Sequence, residues 1–453
     1  MSQPDQAPSR AARREARRKA RWTRIVPWLA AAILAAAGLI LLPGALRPAE
    51  GLPAATFAPV VAQTGQDSAS AAPDAAQIGP DAASAALDAA LAAPDTAQTT
   101  PDTAQTTPDT TQTGPVSTPA SEATETNAPA APSPAPSPAA EPVTLILSAA
   151  GDCTLGGDAS RRTLSAFARA YKKSGPDYFL KNVRDIFAGD DLTIINLEGP
   201  LTDEKRFREK EFAFKGDPEY VKILTEGSVE AANLANNHAK DYYGAGLMDT
   251  ASALKAAGVA RFGWGNTEIL TIKGIKVGLC GFGVWYVSVK EMEKQIKALK
   301  AQCDLVVASI HGGEEGEGRA LKVQRNYDRA AVRAGASLVL GHHPHVVGGI
   351  EKYQGATIVY SLGNFCFGGN LNPDDKDTFI FQQTFTVGAD GLAASGELVI
   401  PCSISGSKSK NDYQPVPLTG DDARRVLTRI EKLSKGFDQP VDLTASRERL
   451  NAG

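Results

Sequence analysis

The strongest constraint on this chain is a series of short apolar runs, each ending in glycine and polar residues. VTLILSAAGD (143–152), LTIINLEGP (192–200), VEAANLANNH (229–238), KVGLCGFG (276–283), DLVVASIHGG (304–313) and SLVLGHHPH (337–345) share that plan. Near-continuous runs of this length predict strands buried on both faces. Helical stretches lie between the later runs: GLMDTASALKAAG (246–258), VKEMEKQIKALKAQ (289–302) and GRALKVQRNYDRAAVRAG (318–335). Strand alternating with helix predicts a mostly parallel sheet with helices packed on it. ATIVYSLGNFCF (356–367) and TFIFQQTFTVG (378–388) follow one another without a helix, so part of the structure is expected to be antiparallel. The expected fold is α/β, a mixed sheet pair covered by helices.

The remaining chain divides by composition. Residues 1–24 carry Arg10, Arg13, Arg14, Arg17, Arg18, Lys19, Arg21 and Arg24, the pattern of a basic cytoplasmic tail. Ile25 to Leu42 then runs 18 residues without a charge. That is about 27 Å of helix, enough to span a bilayer with Pro43–Leu46 helping. Residues 25–46 are therefore expected to form a transmembrane anchor, with everything after residue 46 outside the cell membrane by the positive-inside rule. A cleaved signal peptide is the rival reading; the apolar run is long for one. Residues 47–141 are dominated by Ala, Pro, Thr, Ser, Asp and Gln, and PDTAQTT occurs twice in succession, at 94–100 and 101–107. Such a stretch buries too little apolar surface to offset its ordering entropy, and is expected to be a disordered linker. Residues 142–405 form the expected catalytic or binding domain. Residues 406–453, with DDARRVLTRIEKLSKGF (421–437), form a helical extension expected to pack on it.

Net charge is −4 without long single-sign blocks in the globular part, which excludes a nucleic-acid footprint. Five cysteines without a CxxC indicate neither a disulfide framework nor a zinc knuckle.

All five histidines fall in three motifs at the ends of predicted strands: ANNHAKD, SIHGGEE and GHHPH. Ligands of open α/β sheets bind beyond the carboxyl ends of the strands. Asp152, Glu198, Asn237, His311, His343 and His345 are the candidate ligands there. Their imidazole, carboxylate and carboxamide donors suit divalent Zn, Mn or Fe. A carboxylate placed between two ions can bridge them, and such a pair serves displacement chemistry. His238 would remain free as general acid. If GHHPH is extended, His343 and His345 point one way and His342 the other.

GDCTLGGD, INLEGPLT, LANNHAKDYYGAGLMDTASALKAAGV, SIHGGEE and GHHPHVVGGIEKYQGATIVYSLGNFCF resemble the CapA family of poly-γ-glutamate capsule synthesis proteins over roughly 143–388. The resemblance implies a calcineurin-like metallophosphoesterase fold, a four-layer αββα sandwich around a dinuclear metal site. By motif, Asp152 matches the family's first Asp, with Thr154 where a histidine usually follows. Glu198 stands for the bridging Asp. Asn237 and His238 match the Asn-His pair of ligand and proton donor. His311 matches the isolated histidine, and His343 with His345 the closing pair. Glu315 sits where the family motif has an acid, and Asn364 is a pocket-lining polar group; both are candidates for substrate contact. The implied function is a membrane-anchored, extracytoplasmic metal-dependent hydrolase or transferase of capsule biosynthesis. It would act on an anionic polymer such as poly-γ-glutamate. The alternatives are a non-catalytic component of the polymer synthesis or export machinery, partnered by its membrane proteins, and a generic phosphoesterase.

Overall fold

The computed structural model describes residues 141–388 and 391–452. The tail, anchor and linker expected over 1–140 lie outside the described residues. Among those described, no helix is long and apolar enough to cross a membrane.

In chain order the strands are β1 (Val143–Thr154), β2 (Gly157–Asp158), β3 (Leu192–Leu197), β4 (Phe214–Lys215), β5 (Ala231–Asn233), β6 (Ala260–Phe262), β7 (Thr267–Ile272), β8 (Ile275–Gly283), β9 (Leu305–His311), β10 (Leu338–His342), β11 (Ile350–Tyr353), β12 (Ala356–Val359), β13 (Asn364–Phe367), β14 (Asp377–Gly388), β15 (Gly391–Ser403) and β16 (Val416–Pro417). The helices are α1 (Arg162–Ser174), α2 (Arg184–Phe187), α3 (Val221–Glu226), α4 (Tyr243–Ala256), α5 (Val289–Lys300), α6 (Lys322–Ala334), α7 (Gly420–Ser434) and α8 (Thr444–Ala452).

Two mixed sheets carry the architecture. One runs β16-β15-β14-β1-β3-β5-β6, with β13 also paired to β1; the other runs β11-β12-β10-β9-β8-β7. β1, β3, β5 and β6 are parallel, and β14 joins them antiparallel. In the second sheet β8, β9, β10 and β12 are parallel, with β7 and β11 antiparallel at the edges.

The apolar runs are continuous because alternate residues enter different cores. Leu145, Leu147, Leu192 and Ile194 meet Val277, Leu279, Leu305, Val307, Leu338 and Leu340 between the sheets. Their neighbours Cys153, Ile195 and Leu197 face outward onto Phe167, Phe187, Leu224 and Leu254. On the far side Phe282, Val306, Ala308 and Val339 pack on Met292, Ile296 and Ala331. The layers thus run helices, sheet, sheet, helices.

Residues 356–367 do not form one element. β12 belongs to the second sheet and β13 to the first. Gly363, at φ +77°, sits where the chain passes between them. The region after residue 405 contributes β16 as well as helices, and α7 inserts Val426, Leu427 and Ile430 into the inter-sheet core. The Ile350 amide donates to Ser434 Oγ and the Val399 amide to Ser446 Oγ, which stitches the extension to an edge strand of one sheet and to β15 of the other. All five cysteines are buried and free of disulfides.

Two predictions follow from this packing. A Cβ at Gly341 would lie 2.3 Å from the Tyr360 carbonyl oxygen. Gly341→Ala should therefore lower stability by about 1–3 kcal/mol, read as a lower urea midpoint. Asp328 on α6 is buried, with Oδ1 lacking a hydrogen bond. Burial, and then Glu351, push its carboxyl well above the ordinary range. A carboxyl raised in the folded state withdraws stability as pH climbs from its unfolded value through its folded one. Asp328→Asn should thus raise the urea midpoint more at pH 8 than at pH 4; an equal gain at both would refute the assignment.

Candidate metal centre

The parallel registers place Asp152 opposite Asn196, and Asn196 opposite Asn233, at one end of the first sheet. The second sheet places His342 opposite His311. These rows face each other at the end of the inter-sheet core. Asn196 Nδ2 donates to Asp152 Oδ1 (2.9 Å), and Asn233 Nδ2 to Asn196 Oδ1 (3.0 Å). Across the gap, His342 Nδ1 lies 3.0 Å from Asp152 Oδ1, and Asn196 Nδ2 lies 3.3 Å from His311 Nδ1.

The remaining groups close around this frame. Glu198, one residue past β3, has Oε1 3.5 Å from His311 Nε2 and Oε2 3.7 Å from His345 Nδ1. His345 Nδ1 is also 3.1 Å from Asp152 Oδ2, to which the His343 amide donates (3.2 Å). Asn237 Oδ1 is 2.7 Å from His311 Nε2. All six candidate ligands therefore meet. Two groups of three could each hold a divalent ion: Glu198, His311 and His343, and Asp152, Glu198 and His345. Glu198 belongs to both.

The donor set fits metal binding. Glu198 is fully buried, yet neither carboxylate oxygen accepts a hydrogen bond, and His343 Nδ1 is likewise without a partner. Burying a carboxylate without partners is costly unless a cation or proton compensates. Burial pushes Glu198 well above its usual range, against the pull of His345. Asp152 goes the other way: burial would raise it, but hydrogen bonds and charge from His342 and His345 hold it well below. Burial opposes charge on His345, yet Glu198 and Asp152 outweigh it and push the imidazole up to about 10. Burial, followed by His345, pushes His343 down to about 4. His311 is also pushed down by burial, which favours the neutral form that ligates.

His238 lies just past Asn237, with Nδ1 2.7 Å from Asp241 Oδ2. Asp241 is buried and also accepts from the Phe214 amide (2.8 Å) and Lys210 Nζ (2.7 Å). Burial lowers the His238 imidazole despite Asp241. Asn364, beside Asp152 on β13, donates to the His345 carbonyl (3.2 Å), while its Oδ1 has no partner. Glu315 is exposed on the loop after β9, close enough for its charge to bear on Glu198 and His345.

His342 does not point away from the site as strand alternation would place it. His343 and His345 have φ of +95° and +58°, so GHHPH turns after β10 rather than running on extended. His342 therefore faces Asp152 instead of leaving the site. Asn196, Asn233, Asp241 and Lys210 were also not identified from sequence. The two asparagines carried a signal, being polar residues within buried apolar runs.

Prediction: Glu198→Gln should abolish tight divalent-metal binding by the purified chain, measured by calorimetry and elemental analysis. Asn196→Ala should weaken it about 10–100-fold by freeing Asp152 and His311. Wild-type affinity in Glu198→Gln would remove the centre.

The profile of the bacterial capsule synthesis protein family PGA_cap matches residues 146–369. The capsule biosynthesis protein CapA of Bacillus anthracis is 30% identical over 294 residues, covering 58% of this chain and 69% of that protein. The PGA biosynthesis protein CapA of Bacillus subtilis is 31% identical over 221 residues, covering 43% of this chain and 58% of that protein. A probable polyglutamine synthesis accessory protein of Mycobacterium tuberculosis is 26% identical over 208 residues, covering 38% of this chain and 55% of that protein. Among solved structures, one titled a novel phosphatase, of Mycoplasma pneumoniae, is 15% identical and covers 57% of this chain and 93% of its own, with a TM-score of 0.38. A likeness that loose carries no argument.

Proposed function

This chain belongs to the bacterial capsule synthesis family that includes CapA, and from that membership we propose that it is a metal-dependent hydrolase or transferase acting on poly-γ-glutamate or its linkage. The observation that carries the reading is Glu198, buried, without hydrogen bonds and shared between two three-ligand groups. We read the layering as the calcineurin-like metallophosphoesterase sandwich, and the ligand groups as sites for two ions of Mn, Zn or Fe. In this reading residues 25–46 anchor the chain in the cell membrane and 47–141 hold the domain outside it.

Bound divalent ions would supply Lewis acidity toward water and the scissile carbonyl or phosphoryl oxygen. The protein's own groups do the rest. Asp152, Glu198, Asn237, His311, His343 and His345 would hold the ions. His342 and Asn196 fix the direction of Asp152. Asp241 takes the Nδ1 hydrogen of His238, which leaves proton exchange with the leaving group to Nε2. Glu315 and Asn364 stand at the margin as substrate contacts.

One observation favours the non-catalytic alternative. His345 Nδ1 lies 3.1 Å from Asp152 Oδ2 and 3.7 Å from Glu198 Oε2, and the two carboxylates push its imidazole up to about 10, so a protein cation can offset part of their charge. A binding role in polymer assembly or export would need no more.

The test is incubation of the full chain with poly-γ-glutamate and, separately, with a simple phosphate ester, with and without chelator. Chelator-sensitive shortening or transfer of the polymer is expected. His238→Ala should lower kcat about 10²–10⁴-fold while metal content stays unchanged. No chelator-sensitive turnover by metal-loaded protein would sink the enzymatic reading in favour of the assembly role. Turnover of the ester alone would make the chain a generic phosphoesterase.

A further inference from the structure

The turn after β8, residues 283–287, carries two large aromatic side chains that the metal chemistry does not use. Trp285 is 50% exposed and Tyr286 49%. Their turn is held firmly. The Tyr286 amide donates to the Gly283 carbonyl (2.9 Å) and the Val284 amide to that of His311 (3.1 Å). The Tyr327 hydroxyl on α6 donates to the Val284 and Val287 carbonyls (3.2 and 2.8 Å). Gly283 lets the Tyr286 ring lie on the backbone: a Cβ there would sit 2.7 Å from Tyr286 Cδ2. Apolar surface kept in water on a pinned turn is a prepared contact, because little ordering entropy remains to be lost on binding.

These rings start a continuous strip at the candidate centre. Trp285 packs edge-on to His343, ring centroids 4.8 Å apart. Tyr286 lies 4.6 Å from Trp264. The Trp264 indole is fixed by donation to the Leu234 carbonyl (2.8 Å), and Lys240 Nζ sits 4.1 Å above its ring. Arg208 follows: its Nε donates to the Lys240 carbonyl (3.0 Å), and its guanidinium lies 4.9 Å from the Tyr243 ring. From the histidines outward, the exposed rings of Trp285 and Tyr286 thus lead past half-buried Trp264 to two cations.

We propose that Trp285, Tyr286, Trp264, Lys240 and Arg208 form a binding strip for an acidic chain with aliphatic spacing between its carboxylates, feeding that chain to the cluster. Methylene segments lie on Trp285 and Tyr286, Trp264 supports Tyr286 and holds Lys240 in place, and carboxylates meet Lys240 and Arg208. A neutral sugar chain would use the rings but offer no charge to either cation. The proposal rests on the polymer-directed reading above, while its residues lie outside the ligand set.

The test is calorimetric titration of the full chain with poly-γ-glutamate and with neutral dextran at low and high salt. Wild type should bind poly-γ-glutamate and not dextran. Trp285→Ala, Lys240→Gln and Arg208→Gln should each weaken binding about tenfold, and Trp285→Phe should restore most of the loss. The two charge variants should also flatten the salt dependence. If wild type binds the polymer and these variants match it, the strip is overturned and the function above stands. If they lose binding while metal-loaded wild type performs no turnover, the strip stands and the enzymatic reading fails. No polymer binding by wild type overturns both. Dextran binding that depends on Trp285 overturns the acidic-chain assignment.

Discussion

The two sheets are joined at one end by buried polar bonds, and the rest of the site depends on that joint. Asp152 reaches His342, and Asn196 reaches His311, across a gap otherwise packed mainly by aliphatic and phenylalanine side chains, with Gln383 bonded to Thr357 farther along. Apolar contacts tolerate sliding; directional bonds between buried groups do not, since a slip leaves each group desolvated and unpaired. The joint therefore sets how one sheet sits on the other. The same atoms that fix the alignment also direct the candidate ligands, so fold and site share one register.

Within that frame the two carboxylates behave differently although both are fully buried. Asp152 has donors on both oxygens and is stabilised as an anion. Glu198 has none, and burial drives it toward the neutral form. His345 lies between them, and both push its imidazole up. A divalent cation bound there would compete with a proton for that imidazole and relieve Glu198, so its affinity would fall as pH falls. The protein contributes the geometry in advance, and the electrostatic gain is concentrated on the one residue common to both ligand groups.

Much of this was readable in one dimension. Continuous apolar runs reported strands buried on both sides, and the polar residues at their ends reported where those strands converge. Asp152, Glu198, Asn237, His311, His343 and His345 were identified that way, and the structure brings them together. The misses have physical causes. His342 was assigned outward because period-two alternation was extended past the end of β10, where His343 and His345 take positive φ. Asn196 and Asn233 stand out as polar residues in buried runs, but the bonds to neighbouring strands that give them their role are not written in the local pattern. The change of sheet within 356–367 was not identified, because no local pattern marks Gly363, where the chain crosses from one sheet to the other. Trp285 and Tyr286 follow β8 directly, but an aromatic pair after a strand reads as core until its exposure is known.

The stitching of α7 and α8 has a consequence for the order of events during synthesis. Their anchors, Ser434 and Ser446, lie later in the chain than every strand they fasten. Val426, Leu427 and Ile430, which fill the space between the sheets beside β11 and β15, also emerge late. A ribosome-bound intermediate thus carries both sheets with their shared edge still unsealed, and that edge closes only when the last helices emerge.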